Sequence, residues 1–111
     1  MNRLPTLFVS HGAPTFALEP GLAGPKLQAL GAALPRPRAV LIVSPHWMTR
    51  GARVGLSEQP ATIHDFGGFP QPLYEIIYPA TGHAELARRT LDALTSAGWP
   101  AQGEEHRGLD H

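Results

Sequence analysis

The sequence predicts an α/β fold, and three observations carry the prediction. Ala39-Val40-Leu41-Ile42-Val43 is a short run apolar on both faces, as a strand buried in the middle of a sheet must be. Residues 25–34 and 83–97 each repeat apolar residues at helical spacing. These stretches alternate along the chain as strand, helix, strand, loop and helix, the order from which α/β folds are built.

Each element follows from local chemistry. Residues 4–10 form a first, nearly continuous apolar strand, interrupted by Pro5 and Thr6 and stopped by the turn signal His11-Gly12-Ala13-Pro14. Leu27, Leu30, Ala33 and Leu34 make one stripe of a helix over 25–34. Pro35 and Pro37 end it, because proline cannot continue a helix. The run 39–43 follows as the clearest strand, with a weaker third strand at 53–56. Residues 57–81 carry Gly67-Gly68 and the prolines Pro60, Pro70, Pro72 and Pro79, and read as one long loop. A loop of that length within a compact domain is usually functional. Leu86, Ala87, Leu91 and Leu94 line one side of a helix over 83–97, with Gly98 placed to cap it and Pro100 just beyond.

The 111 residues contain 12 glycines, 12 prolines and no cysteine, and nine basic side chains balance nine acidic ones. Without cysteine there are no disulfides, zinc fingers or thiolate catalysis. A neutral chain has no electrostatic footprint for nucleic acid or an anionic membrane. No apolar run approaches the roughly 20 residues of a spanning helix. The N-terminus does not read as a signal peptide, so the expected location is cytoplasmic. Charged residues make up only 16% of the chain, which suggests that some of its surface is covered.

Six histidines are the main chemical signal. His11 and His46 occupy matching places, each just past the carboxyl end of an apolar strand, where open α/β sheets put their ligand sites. Alone, either would read as a strand cap; placed twice, neutral imidazoles suit Fe(II) or Zn(II). Gly12 allows a tight turn beside the first of them. Ser10 is no nucleophile for His11, because adjacent strand residues point to opposite faces. A second cluster, Ile63-His64-Asp65-Phe66-Gly67-Gly68-Phe69-Pro70, offers a histidine, a carboxylate and two rings, components for holding a small aromatic molecule. The plainer alternative is a surface loop anchored by Ile63, Phe66 and Phe69. Tyr74, Tyr78, Trp47 and Trp99 read as packing residues, Arg88 and Arg89 as an exposed helix face, and His83 and His106 as solvated.

Taken in order, Val9-Ser10-His11-Gly12-Ala13-Pro14, Ser44-Pro45-His46-Trp47, residues 63–70 with Leu73-Tyr74 and Tyr78-Pro79, and Gly108-Leu109-Asp110-His111 resemble the amino-terminal part of the class III extradiol ring-cleavage dioxygenases, nearest the DOPA 4,5-dioxygenase type. The resemblance runs along essentially the whole chain. It implies a central sheet flanked by helices in three layers. It also implies a non-haem metal centre, with Fe(II) for turnover and Zn(II) able to occupy the same site. His11 and His46 match its two metal-binding histidines in this part. His111 matches the histidine of an Asp-His-Gly motif and takes the catalytic role, moving protons. His64, Asp65 and Phe69 match the loop beside the substrate.

The implied reaction inserts both atoms of O2 into a catechol-type, DOPA-like diol. The resemblance also implies that the remaining metal ligand and the principal acid/base histidine lie beyond this stretch. Residues 1–111 therefore read as the amino-terminal portion of a single catalytic domain, expected to be inactive in isolation. Expected partners are a small aromatic diol and O2, with no nucleic acid and no membrane. Two alternatives stand beside this reading: a tetrapyrrole metal chelatase, which shares a His-Gly after a first apolar strand, and a non-catalytic metal-binding module.

Overall fold

A computed structural model describes residues 3–110 of the chain. The chain divides into two compact units, one built from Met1–Arg38 with Gly68–Glu75, the other from Ala39–Gly67 with Ile76–His111. The described elements mix helices with a parallel sheet, so the chain is α/β as its sequence predicts.

The first unit holds a short 3-10 helix at Pro14–Ala17, helix α1 at Ala23–Ala33 and the single-turn helix α2 at Gln71–Tyr74. Helix α1 lies within two residues of the sequence expectation at its start and one at its end, and Leu34 leaves it in extended backbone ahead of Pro35. Leu73 of α2 is the most buried apolar residue described, and α2 packs on the 3-10 helix. The long loop expected over 57–81 thus contains a helical turn, started by Pro70 and Pro72, whose fixed φ suits the first turn of a helix.

The second unit is a βαβ arrangement. Strand β1, Ala52–Gly55, pairs in parallel with β2, Ala101–Glu104, in the register Ala52 with Ala101 through Gly55 with Glu104. Helix α3, Ala84–Ser96, precedes β2 and packs against both strands. Parallel strands require such a crossover, and an amphipathic helix fills it by laying its apolar face on the sheet. Ala87 is buried, and Leu86, Thr90, Leu91 and Leu94 share its half-buried face, while Arg88 and Arg89 are exposed as expected.

Both ends of α3 are capped. At the start, His83 Nδ1 accepts a hydrogen bond from the Leu86 backbone N–H at 3.1 Å, so His83 is a cap and not merely a solvated side chain. At the end, Gly98 takes φ 85°, its N–H reaches the Thr95 carbonyl at 3.0 Å, and the Trp99 N–H reaches Leu94 at 2.9 Å. This is the Schellman arrangement, which glycine enters without a Cβ penalty.

Further sequence expectations are corrected. Residues 4–10 and 39–43 are not strands; neither pairs with a neighbour among the described residues, and their large apolar side chains are exposed, Phe8 and Val43 almost fully. A strand buried on both faces needs layers to cover it, and here nothing among the described residues covers these runs. Strand β2 lay in a stretch with no strand signal, because Ala-Gln-Gly-Glu lacks the β-branched and aromatic residues that favour strands. Trp99, expected in the core, and Tyr78, expected as a packing residue beside the 63–70 cluster, are mostly exposed.

Candidate functional site

Ser44 opens the turn that carries His46. The Trp47 N–H returns to the Ser44 carbonyl at 3.3 Å, and the His46 N–H donates to Ser44 Oγ at 3.1 Å. Such a serine bond to a nearby backbone N–H stabilises a turn where Pro45 would interrupt a helix or ladder. The Ser44 hydroxyl in turn donates to Asp110 Oδ2 at 2.5 Å, across 66 residues of sequence.

The stretch 107–110 holds the same turn at two more places. Trp47 Nε1–H donates to the Gly108 carbonyl at 2.9 Å. Arg107 donates through Nη1 to the Met48 carbonyl at 2.7 Å and lays its guanidinium 4.7 Å from the centre of the Trp47 ring. Trp47 is therefore half-buried under a cation and not a member of an apolar core.

Leu109 links this stretch to a second segment of the unit. Its N–H donates to the Ala61 carbonyl at 2.8 Å and its carbonyl accepts from the Ile63 N–H at 2.7 Å, forming a parallel bridge with Thr62. Thr62 Oγ1 accepts from the Tyr78 N–H at 2.9 Å. His64 follows, with Nε2 2.7 Å from the Ile76 carbonyl and its ring set edge-on to Phe66 at 6.0 Å. With a carbonyl as its neighbour, that Nε2 carries the proton.

Asp65 comes next, and its Oδ2 lies 3.9 Å from His46 Nδ1. The structure thus brings together two of the residues that the sequence singled out, from separate segments of one unit. At 3.9 Å these two atoms are within ion-pair reach but outside hydrogen-bond distance.

The remaining candidates belong to other parts of the chain. His11 is exposed and leads into Gly12, which turns with φ 65°. It belongs to the first unit, as does Phe69, whose N–H donates to the Tyr74 hydroxyl at 3.4 Å. His111 lies outside the described residues. Among the described residues no three His, Asp or Glu side chains gather closely enough to hold a metal ion. The sequence expectation that His11 and His46 each end a strand is also corrected, because the runs before them are unpaired. Sequence reasoning missed the Arg107–Gly108 contacts; the one available signal was that Gly108 and Asp110 belong to the motif Gly108-Leu109-Asp110-His111.

Comparison with known proteins decides the family. Residues 6–111 match the family described as the catalytic LigB subunit of aromatic ring-opening dioxygenase. The chain belongs to this LigB family. It is 52% identical over 110 residues to the 4,5-DOPA dioxygenase extradiol of Escherichia coli (strain K12), covering 99% of this chain and 40% of that protein. It is 37% identical over 110 residues to the 4,5-DOPA dioxygenase extradiol of Beta vulgaris, covering 96% of this chain and 41% of that protein. The protein of the same name from Mirabilis jalapa is 34% identical over 112 residues. As a LigB member, the chain spans about two-fifths of the length of the curated relatives it matches. The tetrapyrrole chelatase alternative is not favoured by these matches.

Proposed function

We propose that this chain is the amino-terminal portion of the catalytic domain of an extradiol dioxygenase that opens a catechol-type, DOPA-like ring and inserts both atoms of O2. The observation that carries the reading is the likeness along nearly the whole chain to relatives whose names state that activity. In this reading His11 and His46 hold Fe(II), and Zn(II) can occupy the same donors; imidazole nitrogens suit both ions. When bound, the metal supplies electronic coupling between the diol and O2.

The donor chemistry fits such an ion in part. His46 brings an imidazole and Asp65 a carboxylate to one place, while a complete three-donor shell is not gathered among the described residues. The chain's own residues would then divide the work. Asp65 approaches the His46 ring, and His64 donates through Nε2 to the Ile76 carbonyl, which orients its imidazole. Phe69 offers a ring to the aromatic substrate, and His111 moves protons. The proposed partners are the diol and O2, in a cytoplasmic setting. Among the described residues no helix is long and apolar enough to cross a membrane.

Calorimetry with Zn(II) tests the ligand assignment. His46→Ala and His11→Ala are each expected to weaken binding at least tenfold. His83→Ala, which removes only a helix cap, should leave it unchanged. Equal effects at His46 and His83 overturn the assignment. The 111-residue chain with Fe(II) and a catechol is expected to show no sustained O2 uptake; uptake abolished by His11→Ala would contradict that expectation.

A further inference from the structure

We propose that Asp110 is a positioning residue for His46, acting through the Ser44 hydroxyl. The inference rests on the reading of His46 as a metal ligand, and it names what sets that ligand in place.

The Ser44 side chain has one proton to donate and lone pairs to accept. It donates to Asp110 Oδ2 and accepts from the His46 N–H, so the two bonds share one oxygen. A hydroxyl facing a carboxylate makes a short, charge-assisted bond, the stronger of the two, and it fixes the serine rotamer. That rotamer is what presents Oγ to the His46 backbone. Remove the carboxylate and the hydroxyl is free to rotate away, leaving the His46 N–H to water.

Asp110 is itself held. The Leu109 backbone is bonded on both sides, to Ala61 and Ile63, and Gly108 and Arg107 grip Trp47 and Met48. The stretch 107–110 therefore spans two segments, one bearing His46 and the other leading to Asp65. Those two side chains meet at 3.9 Å, a separation that sub-ångström changes in either segment would alter. The Asp110–Ser44 bond is the side-chain link nearest His46 in this crosspiece.

The test uses the 111-residue chain and the variants Asp110→Ala, Ser44→Ala, their double variant and Ser44→Thr. Two quantities are read: hydrogen-exchange protection of the His46 backbone amide by NMR, and Zn(II) affinity by calorimetry. Asp110→Ala and Ser44→Ala are each expected to lower His46 protection by about tenfold, the size of one hydrogen bond. Each should also weaken Zn(II) binding by about tenfold, as loss of an outer partner does. The double variant should be no worse than either single one, because both cut the same link. Ser44→Thr, which keeps the hydroxyl, should restore both readings.

A fall in His46 protection matched by an equal fall at the β1 and β2 amides means general destabilisation and overturns the proposal, as does unchanged protection in Asp110→Ala. Failure of the metal reading looks different. If the wild-type and His46→Ala chains bind Zn(II) equally, His46 is not a ligand, while His46 amide protection still decides whether Asp110 holds it.

Discussion

Gly108 sits where a side chain cannot. A Cβ built on it would collide with the Ala61 carbonyl oxygen, and that oxygen is pinned by its bond from the Leu109 N–H. Neither backbone can retreat without opening the bridge between Leu109 and Thr62. Gly108→Ala is therefore expected to destabilise the second unit by about 2 kcal/mol, the usual cost of forcing extra volume into a closed contact. Denaturant unfolding followed by tryptophan fluorescence in the Trp99→Phe background, where Trp47 alone emits, measures it, since Trp47 Nε1 is bonded to the Gly108 carbonyl. Arg107 gives a milder case. Its guanidinium both covers the Trp47 ring and reaches the Met48 carbonyl, two contacts that need a planar group with several donors. Arg107→Lys keeps the charge but not both contacts, so it should lose about 1 kcal/mol in the same experiment. A loss confined to Arg107→Ala, with Lys at the wild-type value, would mean that charge alone matters.

At the scale of elements, helix α3 is fixed by signals within the helix and its two ends. Its stripe of Leu86, Ala87, Leu91 and Leu94 and its stop at Gly98 act within a few residues and made it legible from sequence, whereas the cap at His83, read as solvated, was not. Gly98→Ala should raise the free energy of the folded state by about 1 kcal/mol, because a Cβ strains the φ of 85°. Thermal unfolding by circular dichroism at 222 nm reads this directly. The sheet was legible only in part. Strand β1 lies within one residue of the expected 53–56, whereas β2 is polar and becomes a strand only because the crossover through α3 delivers it beside β1. Propensity alone does not contain that approach. The same division holds at the site. Histidine and aspartate at 46 and 65 stood out by type and motif, but the grip of residues 107–110 on a turn some 60 residues earlier depends on tertiary contacts that no local pattern records.

For the molecule as a whole, apolarity and coverage do not match. Residues 39–43 carry the strongest strand pattern in the chain, yet Val40, Leu41, Ile42 and Val43 are exposed and unpaired. The sequence was right that these residues favour burial; it could not say what covers them. Unpaired backbone beside exposed β-branched side chains is a template for edge-to-edge association. Nothing in the charge opposes it, since the net charge is zero and only 16% of residues are charged. The isolated chain is therefore expected to self-associate through 39–43 as its concentration rises. Sedimentation velocity over a hundredfold concentration range should show a rising weight-average coefficient for the wild type. Ile42→Lys places a charge in the middle of the run and should flatten that rise. Thr49→Lys adds the same charge outside the run and separates the local effect from a change in net charge. If both variants flatten the curve equally, net charge governs the association; if neither does, residues 39–43 are not where the copies meet.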